Sequence, residues 1–452
     1  MNHSQTQRKD SLGNRTTVAG DDALAPYEQA IRELQCYRND PVATVQSALD
    51  VDPSLVMGHV LHGYLHLLGT EPSGFPVAAA DLERAEALPG NARESAHRRA
   101  LAHLVRNEWR AAGRVLEDIS IEYPRDALAL QVGHLVDFYT GDSRMLRDRI
   151  DRVLPQWSRD LPGYHAVLGM HAFGLEETGL YARAETAGRR AVELEPRDAW
   201  AWHAVAHVLE MQTRRADGIA WLRQDSDAWS KDNFFAVHNW WHLAICHLDL
   251  EELDEVLALF DGPLYGQRSE LVVDLIDASA LLWRLHLKGV PLGDRWQAVA
   301  DAWEPHAAAG NYAFNDAHAM MAFVGAGRTR AVQRVLESQA RALEGPGDNA
   351  DFTREVGAPV TRAILAFGEG DYGETVRLLR PVRNQAQRFG GSHAQRDLLD
   401  LTLIEAALRT GRRALAQAFS AERIDLKPTS PAARTLVRRA QEHQPLSQPQ
   451  AA

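Results

Sequence analysis

One stretch of the chain, residues 198–249, holds five of its 19 histidines. Two predicted helices in this stretch each carry a pair of histidines at i and i+4, a spacing that puts both side chains on one helix face. A glutamate follows the second histidine of the first pair by three residues. The residues are His203, His207 and Glu210 in the first helix, and His238 and His242 in the later one. Core helices do not need this density of histidine, so the stretch is our candidate functional site.

A divalent metal site is one hypothesis for this cluster. Two imidazoles at i and i+4 can chelate one ion from a helix face, the glutamate can add an oxygen ligand, and the second histidine pair can face the first. The HxxxHxxE spacing is less diagnostic than HExxH, because no general base lies beside the first ligand. No other cofactor is predicted.

Two further hypotheses remain open for the same residues. A histidine and a carboxylate that titrate near neutral pH can move a proton on a bound small molecule without any metal. Alternatively, each buried imidazole bonds to a Glu or Asp on the next helix and fixes the register of the two helices. Whether the protein is an enzyme is therefore left undecided by the sequence.

Other polar and aromatic residues are candidates for lining the same ligand site. If consecutive helical hairpins stack, the first helix of each hairpin lines one concave surface and brings these side chains towards the histidines. The tryptophans at helical spacing are also typical packing residues with one polar group. The candidates are Trp200, Asn239, Trp241, Asp274, Asp277, Asp316 and His318.

The segment GGSHAQRD at 390–397 predicts a helix start with Ser392 as the N-cap. Exposed backbone amides there, together with Arg396, form a candidate anion site. The alternative is an ordinary capped helix start. No GxxxxGK[ST] or GxSxG motif occurs, which disfavours nucleotide hydrolysis and α/β-hydrolase chemistry.

Composition narrows the class of partner. The net charge of −12, from 61 acidic against 49 basic residues, disfavours nucleic acid or an anionic membrane as the main partner. Cys36 and Cys246 lack metal-type spacing and fit a reducing compartment. The chain has no apolar signal segment and no run of 18 apolar residues, so we expect a cytoplasmic protein.

Helical periodicity dominates the chain, and three prolines in similar contexts give it a repeat length. Pro53, Pro124 and Pro196 are 71 and 72 residues apart, close to two periods of a tetratricopeptide helix hairpin of about 34 residues. We therefore predict an all-α, tetratricopeptide-like superhelix of helical hairpins, an α-solenoid, in a single domain over residues 21–440. Residues 1–20 and 441–452 are polar and are predicted to be disordered.

Six segments, in order and at conserved spacing, resemble the tetratricopeptide repeat protein 38 family and its bacterial relatives. They are HAVAHVLEM (203–211), AVHNWWHLA (236–244), VVDLIDASALLWRL (272–285), FNDAHAMMA (314–322), GGSHAQRDL (390–398) and LKPTSP (426–431). The resemblance extends over about residues 25–440. It implies one tetratricopeptide-like superhelix and brings no reaction, cofactor or substrate with it.

The predicted function is a scaffold that binds a peptide segment or a small molecule in its concave groove, centred on the histidine cluster. The alternative is an enzyme that acts on a small molecule at the same cluster, with His203, His207, Glu210, His238, His242 and Asp274 as candidate catalytic residues. The shape of the site distinguishes the two kinds of ligand. An open trough suits a peptide, whereas a closed pocket of a few hundred Å³ suits a small molecule.

Overall fold

The computed structural model describes residues 6–442 and is almost entirely helical. α-Helices cover more than two thirds of these residues, and the one sheet among them has two antiparallel strands, β1 (Thr6–Lys9) and β2 (Arg15–Val18). The predicted all-α, tetratricopeptide-like class of helical hairpins is therefore confirmed. None of the helices within this part of the chain is both long and apolar enough to cross a membrane.

The helices are short and follow one another closely. The first thirteen are α1 (Leu24–Cys36), α2 (Pro41–Val51), α3 (Val56–Leu68), α4 (Gly74–Glu86), α5 (Ala92–Val105), α6 (Trp109–Glu122), α7 (Ala127–Tyr139), α8 (Ser143–Val153), α9 (Tyr164–Glu177), α10 (Tyr181–Leu194), α11 (Ala199–Met211), α12 (Arg215–Arg223) and α13 (Ser226–Ser230). The others are α14 (Ala236–Asp249), α15 (Leu253–Leu259), α16 (Val272–Leu287), α17 (Arg295–Trp303), α18 (Ala313–Gly325), α19 (Thr329–Glu344), α20 (Asp348–Phe352), α21 (Ala358–Gly368), α22 (Tyr372–Val382), α23 (His393–Arg409), α24 (Arg413–Leu426) and α25 (Pro431–Glu442).

These elements form two compact units. The first comprises the residues up to Val205 together with Asp225–Ala236, and the second comprises Ala206–Gln224 together with the residues from Val237 onward. In both units the most extensive packing is between helices that are adjacent in sequence. The continuity of residues 21–440 as a single superhelix stays a prediction.

The three repeat-defining prolines occupy equivalent positions in the first unit. Each lies two residues after the end of one helix and three residues before the start of the next, at the junctions α2–α3, α6–α7 and α10–α11. Proline cannot continue a helix, and it restricts the residue before it to extended conformations. The carbonyls of Pro124 and Pro196 each accept a hydrogen bond of 2.8 Å from a tryptophan indole, Trp157 and Trp202. The proline spacing thus marks real hairpin boundaries.

The hairpin of α9 and α10 shows why small residues are needed between helices. Ala184, Gly188 and Ala191 are buried on α10. A Cβ atom at Gly188 would lie 2.6 Å from a methyl group of Val205, so only glycine allows this approach. Between the two helices the chain reverses at Gly179, whose φ of +78° is in the left-handed region that glycine favours.

The core of the second unit is anchored by tryptophans whose indole groups are hydrogen-bonded. Trp283 donates to the hydroxyl of Thr402 at 3.0 Å, and Trp303 donates to the hydroxyl of Ser279 at 2.8 Å. Both indoles are fully buried. These two large rings therefore fill the core without an unsatisfied N–H group.

The predicted disorder at the N-terminus was wrong for residues 6–20, which form the β-hairpin and a short extension. The reason is a buried carboxylate that the sequence pattern did not reveal. Glu94 accepts hydrogen bonds from the backbone N–H of Thr17 at 2.6 Å and from its hydroxyl at 2.7 Å. Arg93 adds bonds to the carbonyl of Arg15 and the hydroxyl of Thr16. Polar residues thus dock this hairpin on α5.

Of the C-terminal segment that was predicted to be disordered, residues 441–452, the structure describes residues 441 and 442. Helix α25 extends to Glu442, so residues 441 and 442 are helical and not disordered. Residues 1–5 and 443–452 lie outside the described residues.

We expect Glu94→Ala to lower the free energy of unfolding by about 2 to 4 kcal/mol. The substitution removes the acceptor for two bonds from Thr17 and one from the backbone of Asn91. Urea denaturation measures the loss, and trypsin cleavage after Arg15 should become faster. Glu86→Ala, at an exposed position on α4, is the matched control. Unchanged protection of Arg15 in Glu94→Ala would contradict this account of the hairpin.

Candidate functional site

Two helices bring three of the predicted histidines together within the second unit. His207 comes from α11, and His238 and His242 come from one face of α14. Each offers a ring nitrogen, and these nitrogens lie within 4.8 Å of one another. The ring centroids of His207 and His242 are 4.4 Å apart, and those of His238 and His242 are 4.9 Å apart.

In two of these rings, Nδ1 is hydrogen-bonded to a carboxylate. His238 Nδ1 lies 2.8 Å from a carboxylate oxygen of Asp277, which is on α16. His242 Nδ1 lies 3.2 Å from a carboxylate oxygen of Glu210, one turn beyond His207 on α11. Because an ionised carboxylate only accepts hydrogen bonds, each Nδ1 carries a proton and donates it to its carboxylate. The predicted residues His207, Glu210, His238, His242 and Asp277 are thus in one connected group.

Burial sets the charge of the group. Burial lowers the pKa of His207 well below its usual value, and the neighbouring His242 lowers it further. Burial also lowers the pKa of His242, although the hydrogen bond that His242 donates to Glu210 acts in the opposite direction. Burial alone would raise the pKa of Glu210, but the bond with His242 and the charges of Lys427 and Arg215 hold it well below the usual range. At pH 7 the two imidazoles are neutral and the carboxylate is charged.

Trp241 forms one wall of the cluster. Its ring stacks on His238 at a centroid distance of 5.4 Å and an interplanar angle of 11°, and it meets His242 edge-on at 4.9 Å. The guanidinium of Arg284 lies 5.3 Å from the centroid of the same ring. The tryptophan therefore combines the predicted packing role with direct contact to the imidazoles.

Glu210 also lines a cavity that was not predicted from the sequence. The cavity has a volume of about 370 Å³ and lies within the second unit. Its charged lining consists of five carboxylates and six cationic groups. They are Glu210, Asp249, Glu251, Asp397 and Glu405, and Arg215, Arg284, Lys288, Arg423, Lys427 and Arg439. Leucine and isoleucine side chains form much of the remainder.

Most of the buried charges in this cavity are paired. Arg423 makes a two-point bond to Asp397 at 2.7 and 3.0 Å, and Arg215 bonds Asp249 at 2.9 Å. Lys427 Nζ lies 3.7 Å from Asp397 and 4.0 Å from Glu210. The partners are 26 or more residues apart in sequence, a separation at which no local pattern could have indicated them. Lys427 lies in the segment LKPTSP that the family resemblance included.

Two predicted ligand residues belong to the first unit and pack there among aromatic rings. Trp200 stacks on Tyr37 at 5.5 Å and contacts Phe173 at 5.0 Å. The ring of His203 lies 5.3 Å from Phe173, 4.7 Å from Trp200 and 5.1 Å from Phe235. Within the first unit both residues are part of the aromatic packing.

The other predicted acids and polar residues are also buried in the second unit. Asn239 is fully buried on α14. Burial and the nearby charge of Asp277 raise the pKa of Asp274 to about 6. On α18, burial raises the pKa of Asp316 to about 7 and lowers that of His318 to about 4. His318 Nδ1 bonds the carbonyl of Phe314, one turn earlier on the same helix.

The segment around Arg396 forms the predicted helix start. Ser392 accepts from the backbone N–H of Gln395, and the Gln395 side chain accepts from the backbone N–H of Ser392, which together make a capping box. The guanidinium of Arg396 donates to the carbonyl of Gly391. The N-cap is therefore confirmed, and the anion site at Arg396 stays a prediction.

No family model matches the chain. Among solved structures, the chain is similar to the APC/C hetero-tetramer Cut9-Hcn1, with 11% identity over 93% of this chain and 96% of that chain and a TM-score of 0.33. The yeast Tom70 structure is 14% identical over 89% and 84%, with a TM-score of 0.32. The Naa15/Naa10 structure bound to HypK-THB is 13% identical over 88% and 67%, with a TM-score of 0.21. TM-scores this low do not establish a shared fold. The fold class is inferred from the helical hairpins described above.

The buried acid on α18 should make stability depend on pH. Because the folded pKa of Asp316 is raised from 3.8 to about 7, the folded state keeps a proton that the unfolded state releases. The free energy of unfolding should therefore fall as pH rises from 4 to 7. Asp316→Asn should remove this loss and be more stable than the wild type at pH 8 by about 1 to 4 kcal/mol.

Chemical denaturation at a series of pH values measures this difference. Asp294→Asn, at an exposed position, is the control and should follow the wild type. Parallel pH profiles for Asp316→Asn and the wild type would show that Asp316 is ionised in the folded protein.

Proposed function

We propose that this protein binds a small anionic molecule with an apolar part in the cavity of its second unit. The observation that carries the proposal is a set of three buried arginines, Arg215, Arg284 and Arg423, that line the cavity. Each has a buried guanidinium N–H group with no acceptor among the protein atoms of residues 6–442. A buried donor without an acceptor costs about 1 to 3 kcal/mol, a cost that is removed when the side chain rotates to meet an anionic ligand in the cavity.

Arg284 is the principal anchor in this proposal. Arg215 and Arg423 each have a carboxylate partner, whereas Arg284 has none within ion-pair distance in the described chain. It donates instead to the carbonyl of Ala394 at 2.6 Å. Burial lowers its pKa, and the charges of Asp397, Glu210 and Asp277 act against that effect from beyond ion-pair distance. A planar guanidinium in this state is suited to two-point bonding of a carboxylate or phosphate.

The charge balance and the remaining surface define the ligand class. Six cationic side chains against five carboxylates leave the lining with one positive charge in excess. An anion of one charge would neutralise it. The apolar part of the lining, which includes Leu248, Leu401 and Leu436, suits a hydrocarbon portion. These features favour an apolar carboxylate.

The size of the cavity favours a small molecule over a peptide. At about 30 Å³ for each water, a volume of about 370 Å³ corresponds to about a dozen water molecules. This is the lower part of the range for small-molecule sites. The proposed ligand is therefore a small molecule, one of the two ligand classes predicted from the sequence. Its site is the cationic cavity beside Glu210 and not the histidine cluster. Binding of a peptide in a concave groove stays a prediction.

Octanoate is a suitable probe, with octanamide as its neutral counterpart. We expect octanoate to raise the melting temperature and to bind in calorimetry, and octanamide to bind much more weakly. Arg284→Met should weaken octanoate binding about 10- to 100-fold, because it removes a charge-assisted contact of about 1.5 to 3 kcal/mol. The free Arg284→Met protein should be no less stable than the wild type, since it loses a buried charge that lacks an ion-pair partner.

Arg377→Met is the matched control, because Arg377 is an exposed arginine of the same unit and forms an ion pair with Glu374 of its own helix. It should bind octanoate as the wild type does. Equal binding of octanoate and octanamide, or unchanged binding by Arg284→Met, would refute the proposal.

A further inference from the structure

The three histidines of the second unit have the arrangement of a metal site. We propose that His207, His238 and His242 bind one divalent transition-metal ion of the zinc type. Their ring nitrogens lie within 4.8 Å of one another. Three nitrogens bound to one tetrahedral zinc ion lie about 3.3 Å apart, given Zn–N distances of about 2.0 to 2.1 Å. Small side-chain rotations cover that difference.

The hydrogen bonds behind the rings support this assignment. Histidine ligands of metals commonly donate their other ring N–H group to a carboxylate, which fixes the tautomer and the ring orientation. His238 has this bond to Asp277, and His242 has it to Glu210. Both carboxylates are buried, with relative exposures of 2%. Two of the three proposed ligands therefore have the supporting carboxylate that a metal site requires.

The type of ligand selects the class of metal. Imidazole nitrogens favour Zn²⁺, Cu²⁺, Ni²⁺ and Fe²⁺, whereas Mg²⁺ and Ca²⁺ take oxygen ligands. Three histidine ligands are also the protein donor set of some catalytic zinc sites. The two negative charges of Asp277 and Glu210 also offset the charge of a divalent cation. Zinc is the ion that this donor set fits best.

The site is separate from the anion-binding residues, apart from Glu210. This carboxylate bonds His242 on one side and lies 4.0 Å from Lys427 on the other. The three proposed metal ligands do not line the cavity, so metal binding does not require the proposed ligand of the cavity. If both hold, an anionic molecule in the cavity lies on the far side of a carboxylate that orients a metal ligand.

The test uses full-length protein purified without a histidine tag and freed of metal with a chelator. Titration with Zn²⁺ in a calorimeter should give one equivalent of tight binding, and Co²⁺ should give the intense visible absorption of a four- or five-coordinate site. His238→Ala and His242→Ala should each weaken binding at least 100-fold. Asp277→Asn should weaken it about 10- to 100-fold, because it removes the group that orients His238.

His306→Ala, which changes a histidine three residues after the end of α17, is the control. It should bind one equivalent of Zn²⁺ as the wild type does. Circular dichroism checks that each variant is folded. If His242→Ala is not folded, the half-buried His238 and its partner Asp277 still decide the question. Absence of a one-equivalent site in the wild type, or binding that is unchanged in His238→Ala and Asp277→Asn, would overturn the proposal.

The two proposals fail independently. Arg284→Met should leave the Co²⁺ spectrum unchanged, because Arg284 is not a ligand. His238→Ala should still bind octanoate, because His238 does not line the cavity. Loss of octanoate binding alone would leave the metal site standing, and loss of metal binding alone would leave the anion cavity standing.

Discussion

The buried negative charge of Glu210 is the constraint on which the second unit's polar interior depends. An isolated carboxylate in such a place would take up a proton, but this one is held ionised by a hydrogen bond from His242 and by the cations Lys427 and Arg215. It fixes the tautomer of an imidazole on one side and balances a lysine on the other. Two chemically different regions, one of neutral imidazoles and one of paired ions, are thereby joined by one side chain.

The histidine group was predictable from sequence because helical spacing is a local property. The i, i+4 pairs placed the imidazoles on single helix faces, and the adjacent helices brought His207, His238 and His242 together. The cationic cavity was not predictable. Its ion pairs join residues such as Arg215 and Asp249, 34 positions apart, and each arginine in the sequence resembles any surface arginine until its burial is known. Histidines of the first unit, such as His165 with Asp198 and His171 with Asp151, make the single imidazole–carboxylate pairs of the structural alternative.

The parts of the fold that depend on local sequence signals were predicted, and a part that depends on a distant contact was not. Helical class, hairpin boundaries and the N-cap at Ser392 follow from proline, glycine and serine acting on their own neighbours, and all were found. The N-terminal hairpin was missed because its strands are polar and short, which is typical of a mobile end. What orders them is Glu94, 77 residues beyond Thr17. Polar composition alone predicts disorder only where no buried partner satisfies the backbone.

This same docking has a consequence for the order of events during synthesis. The strands of the hairpin are synthesised before α5, and the carboxylate that accepts from Thr17 is translated 77 residues after it. At roughly 5 to 20 residues per second, the segment waits roughly 4 to 15 seconds before its binding surface exists. During that interval it is an exposed two-stranded hairpin, which is at best marginally stable alone. Thr17 can therefore form its native hydrogen bonds only after α5 has been synthesised.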